Sequence, residues 1–175
     1  GGLDVFGYHL VNVLLHGLTS CLLFLFVLQI LHLPQLRSRY GESAYSIALL
    51  ASFFWALHPL HVSTVSYLVQ RMAILAGLFH LLAMLLYVVG RTERRPFPAA
   101  ASYVLCAVAA LLGFAAKENT AMLPWNLFLL EILLMQGIGR HSLRKTLLLG
   151  GLAGLAVVAI GLTFTGFASP IGNYE

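Results

Sequence analysis

Apolar runs of roughly membrane-spanning length, divided by short arginine clusters, constrain this chain more than any other feature of its sequence. Ten of its 175 residues are Lys or Arg, and eight of the ten fall in three clusters: Arg37/Arg39, Arg91/Arg94/Arg95 and Arg140/Arg144/Lys145. Each cluster separates two long apolar runs. Loops rich in Lys and Arg stay on the cytoplasmic side of a membrane, so the clusters orient every helix between them. Arg71 and Lys117 stand apart from the clusters, in loops on the opposite side, where the same rule leaves few charges.

Composition agrees with a bilayer solvent. The chain is 60% hydrophobic and 9% charged, against roughly 25% charged residues in an ordinary soluble domain. A water-soluble fold of this length has no interior large enough to hide that much apolar surface. The formal net charge of +4 does not point to nucleic acid, because the basic residues flank spanning runs, where anionic lipid headgroups meet them. Cys21 and Cys106 both lie inside apolar segments and read as small buried hydrophobes, without a disulfide or metal framework. The chain opens on Gly1-Gly2 with no signal-peptide pattern, and is expected to be a fragment or a processed product.

Six spans satisfy the charge sorting, at about 9–31, 44–57, 72–89, 99–116, 120–135 and 146–165. The predicted fold class is all-α: a polytopic helix bundle forming a single transmembrane domain over 1–175, itself part of a larger membrane domain. Both ends of the chain then lie outside and the basic loops are cytoplasmic. The run 44–57 is short for a span, yet it must cross if Arg37/Arg39 and the Arg91 cluster share a side.

Residues 61–71, HVSTVSYLVQR, are too polar to lie in lipid. On a helical wheel Val62, Val65, Leu68 and Val69 fill one arc, and Ser63, Thr64, Ser66, Tyr67, Gln70 and Arg71 the other. That is the pattern of an amphipathic helix on the outer membrane surface. The fourth run carries Ser102, Cys106, Ala109, Gly113 and Ala116 on one face, which suits close helix packing, and Gly150, Gly154 and Gly161 repeat the device in the sixth. Lys117-Glu118-Asn119-Thr120 turns the chain outside the membrane, with Asn119 or Thr120 as the N-cap of the next helix and Pro124 in its first turns.

The polar groups of the outer face are the candidate site. His58 and His61 belong to the HPLH string where the second span meets the surface helix, and Glu118 neighbours Lys117. Arg71 and Lys117 together suit a phosphate headgroup, as a pair of charge-assisted donors. The plainer alternative is that these cations snorkel to lipid phosphates and organise nothing. Two histidines three apart lack a third ligand, so no metal site is assigned.

Within the first run, His9, Asn12, His16 and Thr19 form a polar stripe down one helix face. With no carboxylate on it, interhelical hydrogen bonding is a better account than a proton relay. His80 and Glu131 are further intramembrane polar residues, and Glu131 is placed to pair with Arg140 or its neighbours, or with His80. The sequence holds no nucleophile elbow, phosphate loop or paired-carboxylate motif, so no catalytic residue is assigned.

Three strings carry a family resemblance: Gly7-Tyr8-His9-Leu10-Val11-Asn12-Val13-Leu14-Leu15-His16; Leu57-His58-Pro59-Leu60-His61 with Val69-Gln70-Arg71-Met72; and Ala116-Lys117-Glu118-Asn119 with Leu123-Pro124 and Glu131. Over about Gly7 to Glu131 the chain resembles the membrane domain of bacterial tetratricopeptide-repeat proteins. Those are similar to the eukaryotic transmembrane and tetratricopeptide-repeat O-mannosyltransferases, of the GT-C class of polyprenyl-phosphate-sugar-dependent glycosyltransferases. The resemblance implies transfer of a sugar from a lipid-phosphate donor to a protein or glycan acceptor on the outer face, in a bacterial inner membrane. It implies phosphate contact for Arg71 and Lys117 and site-shaping roles for His58, His61 and Glu118. The family's catalytic acid lies in an outer loop after a first transmembrane helix, and Asp4 does not match that motif. Whether a divalent metal takes part is left open. The competing reading is a non-catalytic membrane subunit, whose small-residue faces bind neighbouring proteins. A transporter has less support, since no inverted repeat or intramembrane acid pair is present.

Overall fold

The computed structural model describes residues 5–60 and 71–135. The part of the expected surface helix over 61–70, with His61, lies outside these residues, as do the third basic cluster and the run 146–165. All regular structure among the described residues is helical: α1 Val5–Leu31, α2 Pro34–Tyr40, α3 Ala44–Ala56, α4 Arg71–Thr92, α5 Pro96–Ala116 and α6 Leu123–Leu130. Short 3-10 turns cover Gly41–Ser43 and Glu118–Met122, and a π turn covers Glu131–Met135. Among the described residues, three stretches are long and apolar enough to cross a membrane: His9–Leu31, Arg71–Thr92 and Pro96–Ala116. They correspond to the first, third and fourth expected spans, and mark an integral membrane protein.

The chain divides into two compact units, Gly1–Thr120 and Ala121–Glu175. In the first, α1 packs against both α3 and α4, and α4 against α5. α3 runs antiparallel to α1, as three contacts along their length show. The His16 ring stacks on Trp55 at 4.9 Å, the Ser20 hydroxyl donates to the Ser52 carbonyl at 3.1 Å, and Phe24 meets Tyr45 edge-on at 5.5 Å. With 13 residues, α3 rises only about 20 Å, less than a ~30 Å hydrocarbon core. The expected second span is thus a short apolar helix returning along α1.

Its reversal is made by α2. Pro34 sets the first helical turn, and the backbone N–H groups of Leu36 and Arg37 donate to the Leu33 carbonyl at 2.9 and 2.8 Å. Arg37 and Arg39 occupy the last turn of α2, where positive charge complements the carbonyl end of the helix dipole.

α4 and α5 form a hairpin closed by Glu93. Its carboxylate accepts from the backbone N–H groups of Arg94 and Arg95 at 2.9 and 3.0 Å, and Pro96 starts the next helix, where a missing N–H costs nothing. Tyr87 meets Tyr103 at 6.1 Å, and a Cβ on Gly90 would stand 3.1 Å from the Tyr103 ring. The small-residue face read from the sequence is buried at Cys106, Ala109 and Gly113.

Polar and apolar groups sort as a bilayer demands. Asn12, Thr19 and Ser52 are buried in the first unit, while Leu14, Phe54 and Leu111 are each more than 60% exposed. Water would reverse that arrangement, whereas lipid favours it, because large apolar side chains lose nothing by facing hydrocarbon.

Past Lys117, the expected single span 120–135 is a succession of 3-10, α and π turns. Neither Asn119 nor Thr120 caps the α-helix. Thr120 is only 4% exposed, turned inward and away from the cap position, so the helix starts at Leu123 without a side-chain cap and with Pro124 in its first turn.

Candidate functional site

Helix ends position the residues expected on the outer face. Pro59 ends α3, because it lacks an N–H and biases His58 away from helical geometry. The backbone N–H groups of Leu57 and His58 close the last turn on Phe53 and Trp55, at 3.0 and 3.2 Å. Continued helix would next send the Leu60 N–H to the Ala56 carbonyl. That N–H donates instead to Nδ1 of His58 at 3.3 Å. The Ala56 carbonyl is met from the neighbouring helix, by Nε2 of His16 at 3.0 Å. A carbonyl can only accept, so Nε2 carries the proton. His58 itself is exposed.

Arg71, expected at the end of the surface helix 61–71, lies in α4 and is half-buried. Lys117 follows the end of α5. Its N–H donates to the Gly113 carbonyl at 3.0 Å, and its carbonyl accepts from Thr120 N–H at 3.1 Å, which tightens the turn that exposes Glu118 and Asn119.

The hairpin's pairing brings Phe79 to Gly113 and Tyr87 to Tyr103. The start of α4 and the end of α5 therefore share one end of the hairpin, with Arg71 and Lys117, while Arg91, Arg94 and Arg95 hold the other. His58 lies just beyond α3, and Glu118 directly follows Lys117.

The intramembrane polar residues face inward to differing degrees. Asn12 is 0% exposed and Thr19 buried, its hydroxyl donating to the Leu15 carbonyl at 2.8 Å; His9, His16 and His80 are half-buried. Glu131 is buried in the second unit, where it opens the π turn. Among the described residues no three His, Cys, Asp or Glu side chains group as a metal ion would require.

Two contacts were not anticipated from the sequence. One is His16 with Ala56, which the polar stripe placed on the right helix face without naming its acceptor. The other is Gly113 with Thr120: a Cβ on Gly113 would stand 2.8 Å from the Thr120 methyl and 3.2 Å from Cβ of Phe79. The small-residue face pointed to Gly113, but no local signal turned Thr120 inward.

Comparison with known proteins bears out the O-mannosyltransferase resemblance. Over 107 residues the chain is 36% identical to protein O-mannosyl-transferase tmtc2 of Xenopus laevis, which covers 61% of this chain and 12% of that protein. Over 90 residues it is 37% identical to protein O-mannosyl-transferase TMTC4 of Mus musculus, covering 50% of this chain and 12% of that protein. Protein O-mannosyl-transferase Tmtc1 of Drosophila melanogaster is 38% identical over 87 residues, 50% of this chain and 9% of that protein. The chain thus spans about a tenth of the length of the curated relatives it matches. No family model and no solved structure matches. These relatives are animal proteins, and the bacterial inner membrane expected above does not follow from them.

Proposed function

We propose that this chain forms part of the membrane domain of a glycosyltransferase, which moves a sugar from a polyprenyl-phosphate-linked donor to a protein or glycan acceptor on the outer face of the membrane. Arg71 and Lys117 hold the donor phosphate, and His58, His61 and Glu118 shape the site around it. The observation that carries this reading is the sorting of charge along one hairpin: the two cations outside the arginine clusters share the end opposite Arg91, Arg94 and Arg95. The names of the relatives favour a mannosyl group and a protein acceptor.

The chemistry suits that arrangement. Cleaving the bond between the sugar's anomeric carbon and the lipid phosphate leaves negative charge on the departing phosphate oxygens. Fixed cations at a membrane boundary stabilise such charge more strongly than they would in bulk water. The Arg71 guanidinium offers a planar fork to two oxygens, and the Lys117 ammonium acts as a point charge.

The test is sugar transfer from a lipid-linked donor by the full-length protein. Arg71→Ala and Lys117→Ala should each lower kcat/KM by about ten- to a hundredfold, the worth of a charge-assisted hydrogen bond. Arg71→Lys should recover only part of the loss, since it lacks the fork. Unchanged turnover and donor affinity in both alanine variants would remove the phosphate assignment and favour a non-catalytic membrane subunit.

A further inference from the structure

We propose that His16 is a positioning residue for the outer-face site. From within α1 it holds the carbonyl end of α3, and so sets the direction in which the His58-Pro59-Leu60 turn leaves that helix. The role in transfer rests on the function proposed above; the positioning of the turn does not.

Pro59 removes the donor that would have met the Trp55 carbonyl in a continued helix, and His58 Nδ1 takes the Leu60 N–H at 3.3 Å. The Ala56 carbonyl is thereby released from its own helix. At an apolar boundary an unsatisfied carbonyl is costly, and Nε2 of His16 satisfies it at 3.0 Å. The ring has little freedom to leave, because it stacks on Trp55 at 4.9 Å with 21° between the planes. One imidazole therefore fixes both the last carbonyl of α3 and the ring one residue before it, two positions ahead of His58.

The neighbouring interhelical bond from Ser20 to the Ser52 carbonyl joins the same helices about one turn deeper and does not reach the turn. A purely packing role for His16 would resemble that bond. It would lower stability while leaving the site's geometry and donor recognition unchanged.

The experiment uses the full-length protein with Cys21 and Cys106, and any other cysteine, replaced, and with Leu60→Cys as reporter, since Leu60 is 76% exposed. Labelling by a membrane-impermeant maleimide reads the turn, and transfer from a polyprenyl-phosphate-linked sugar reads the site. His16→Leu should change the labelling rate, and raise donor KM, by about fivefold each, with kcat moving less. His16→Gln, whose amide N–H can reach the same carbonyl, should bring both to within about twofold of the parent. A labelling rate that ignores His16→Leu overturns the inference, as does a folded His16→Gln protein as impaired as His16→Leu. If His16→Leu does not fold, His16→Gln decides alone: parent-like values uphold the donated hydrogen bond, and a loss overturns it. A changed labelling rate with unchanged transfer upholds the positioned turn and overturns the proposed site instead.

Discussion

Gly113→Ala should destabilise the α4–α5 hairpin by about 1–3 kcal/mol, the usual cost of overpacking a closed interior, and Gly113→Leu should keep the hairpin from forming. The added Cβ would meet the Thr120 methyl at 2.8 Å, the Thr120 hydroxyl at 3.3 Å and Cβ of Phe79 at 3.2 Å. Turning Thr120 about χ1 can bring its Cβ hydrogen to where the methyl stands, but Cβ of Phe79 moves only with its backbone, so the helices must still give by a few tenths of an ångström. In lipid that loss is severe, because helix association rests on close packing rather than on a hydrophobic drive. Denaturation in mixed micelles, followed by far-ultraviolet circular dichroism, measures it. Gly77 and Gly17 supply the control. A Cβ at either meets nothing within 4 Å, so alanine there should be neutral or should stabilise through helix propensity by up to ~1 kcal/mol. Gly90, whose Cβ would touch the outer atoms of the Tyr103 ring at 3.1 and 3.3 Å, should fall between. Equal tolerance of alanine at Gly113 and Gly77 would show that the close approach carries no energy. Because Thr120 ends the Lys117-Glu118-Asn119-Thr120 turn, the proposed function adds that a folded Gly113→Ala protein should bind a lipid-linked sugar donor more weakly.

Much of this architecture can be read from the sequence, and what escapes reading has a common cause. The long runs are legible because a spanning helix must satisfy every backbone group internally, which makes length and hydropathy sufficient signals. The small-residue face of α5 is legible for a similar reason, since only small side chains let two backbones approach. The polar stripe of His9, Asn12, His16 and Thr19 identifies the inward face of α1. Which groups the stripe meets depends on the register between α1 and α3, which no periodicity encodes, and so the bond from His16 to the Ala56 carbonyl stays hidden. The start of α6 fails for another reason. Asn119 and Thr120 have the chemistry of N-caps, but tertiary packing draws Thr120 inward beside Gly113 and the helix begins without a side-chain cap. That Arg71 belongs to α4 escapes reading because a single charged residue at a boundary is too weak a signal to place an end within one or two positions.

Replacing Arg91, Arg94 and Arg95 together with Gln should scramble or invert the α4–α5 hairpin without disturbing its turn. The turn depends on the Glu93 carboxylate and the backbone N–H groups of Arg94 and Arg95, which glutamine retains. What is lost is charge. Each basic residue near an anionic leaflet contributes about 1 kcal/mol, so removing three shifts the preference between orientations by about 3 kcal/mol, roughly a hundredfold. A reporter fused beside Glu93, or cysteine labelling there from either side of the membrane, reads the outcome directly. The paired variant Arg71→Gln with Lys117→Gln should behave oppositely: it removes charge from the other end of the same hairpin, which strengthens the orientation bias and, on the proposed function, abolishes sugar transfer. The two experiments therefore separate cations that orient the chain from cations that act in a site. If instead the Arg71 and Lys117 pair altered orientation and spared transfer, both would be ordinary interfacial charges. If the triple variant kept its orientation, the clusters would not be what directs the hairpin, and the outer-face position of Arg71 and Lys117 would lose its physical basis.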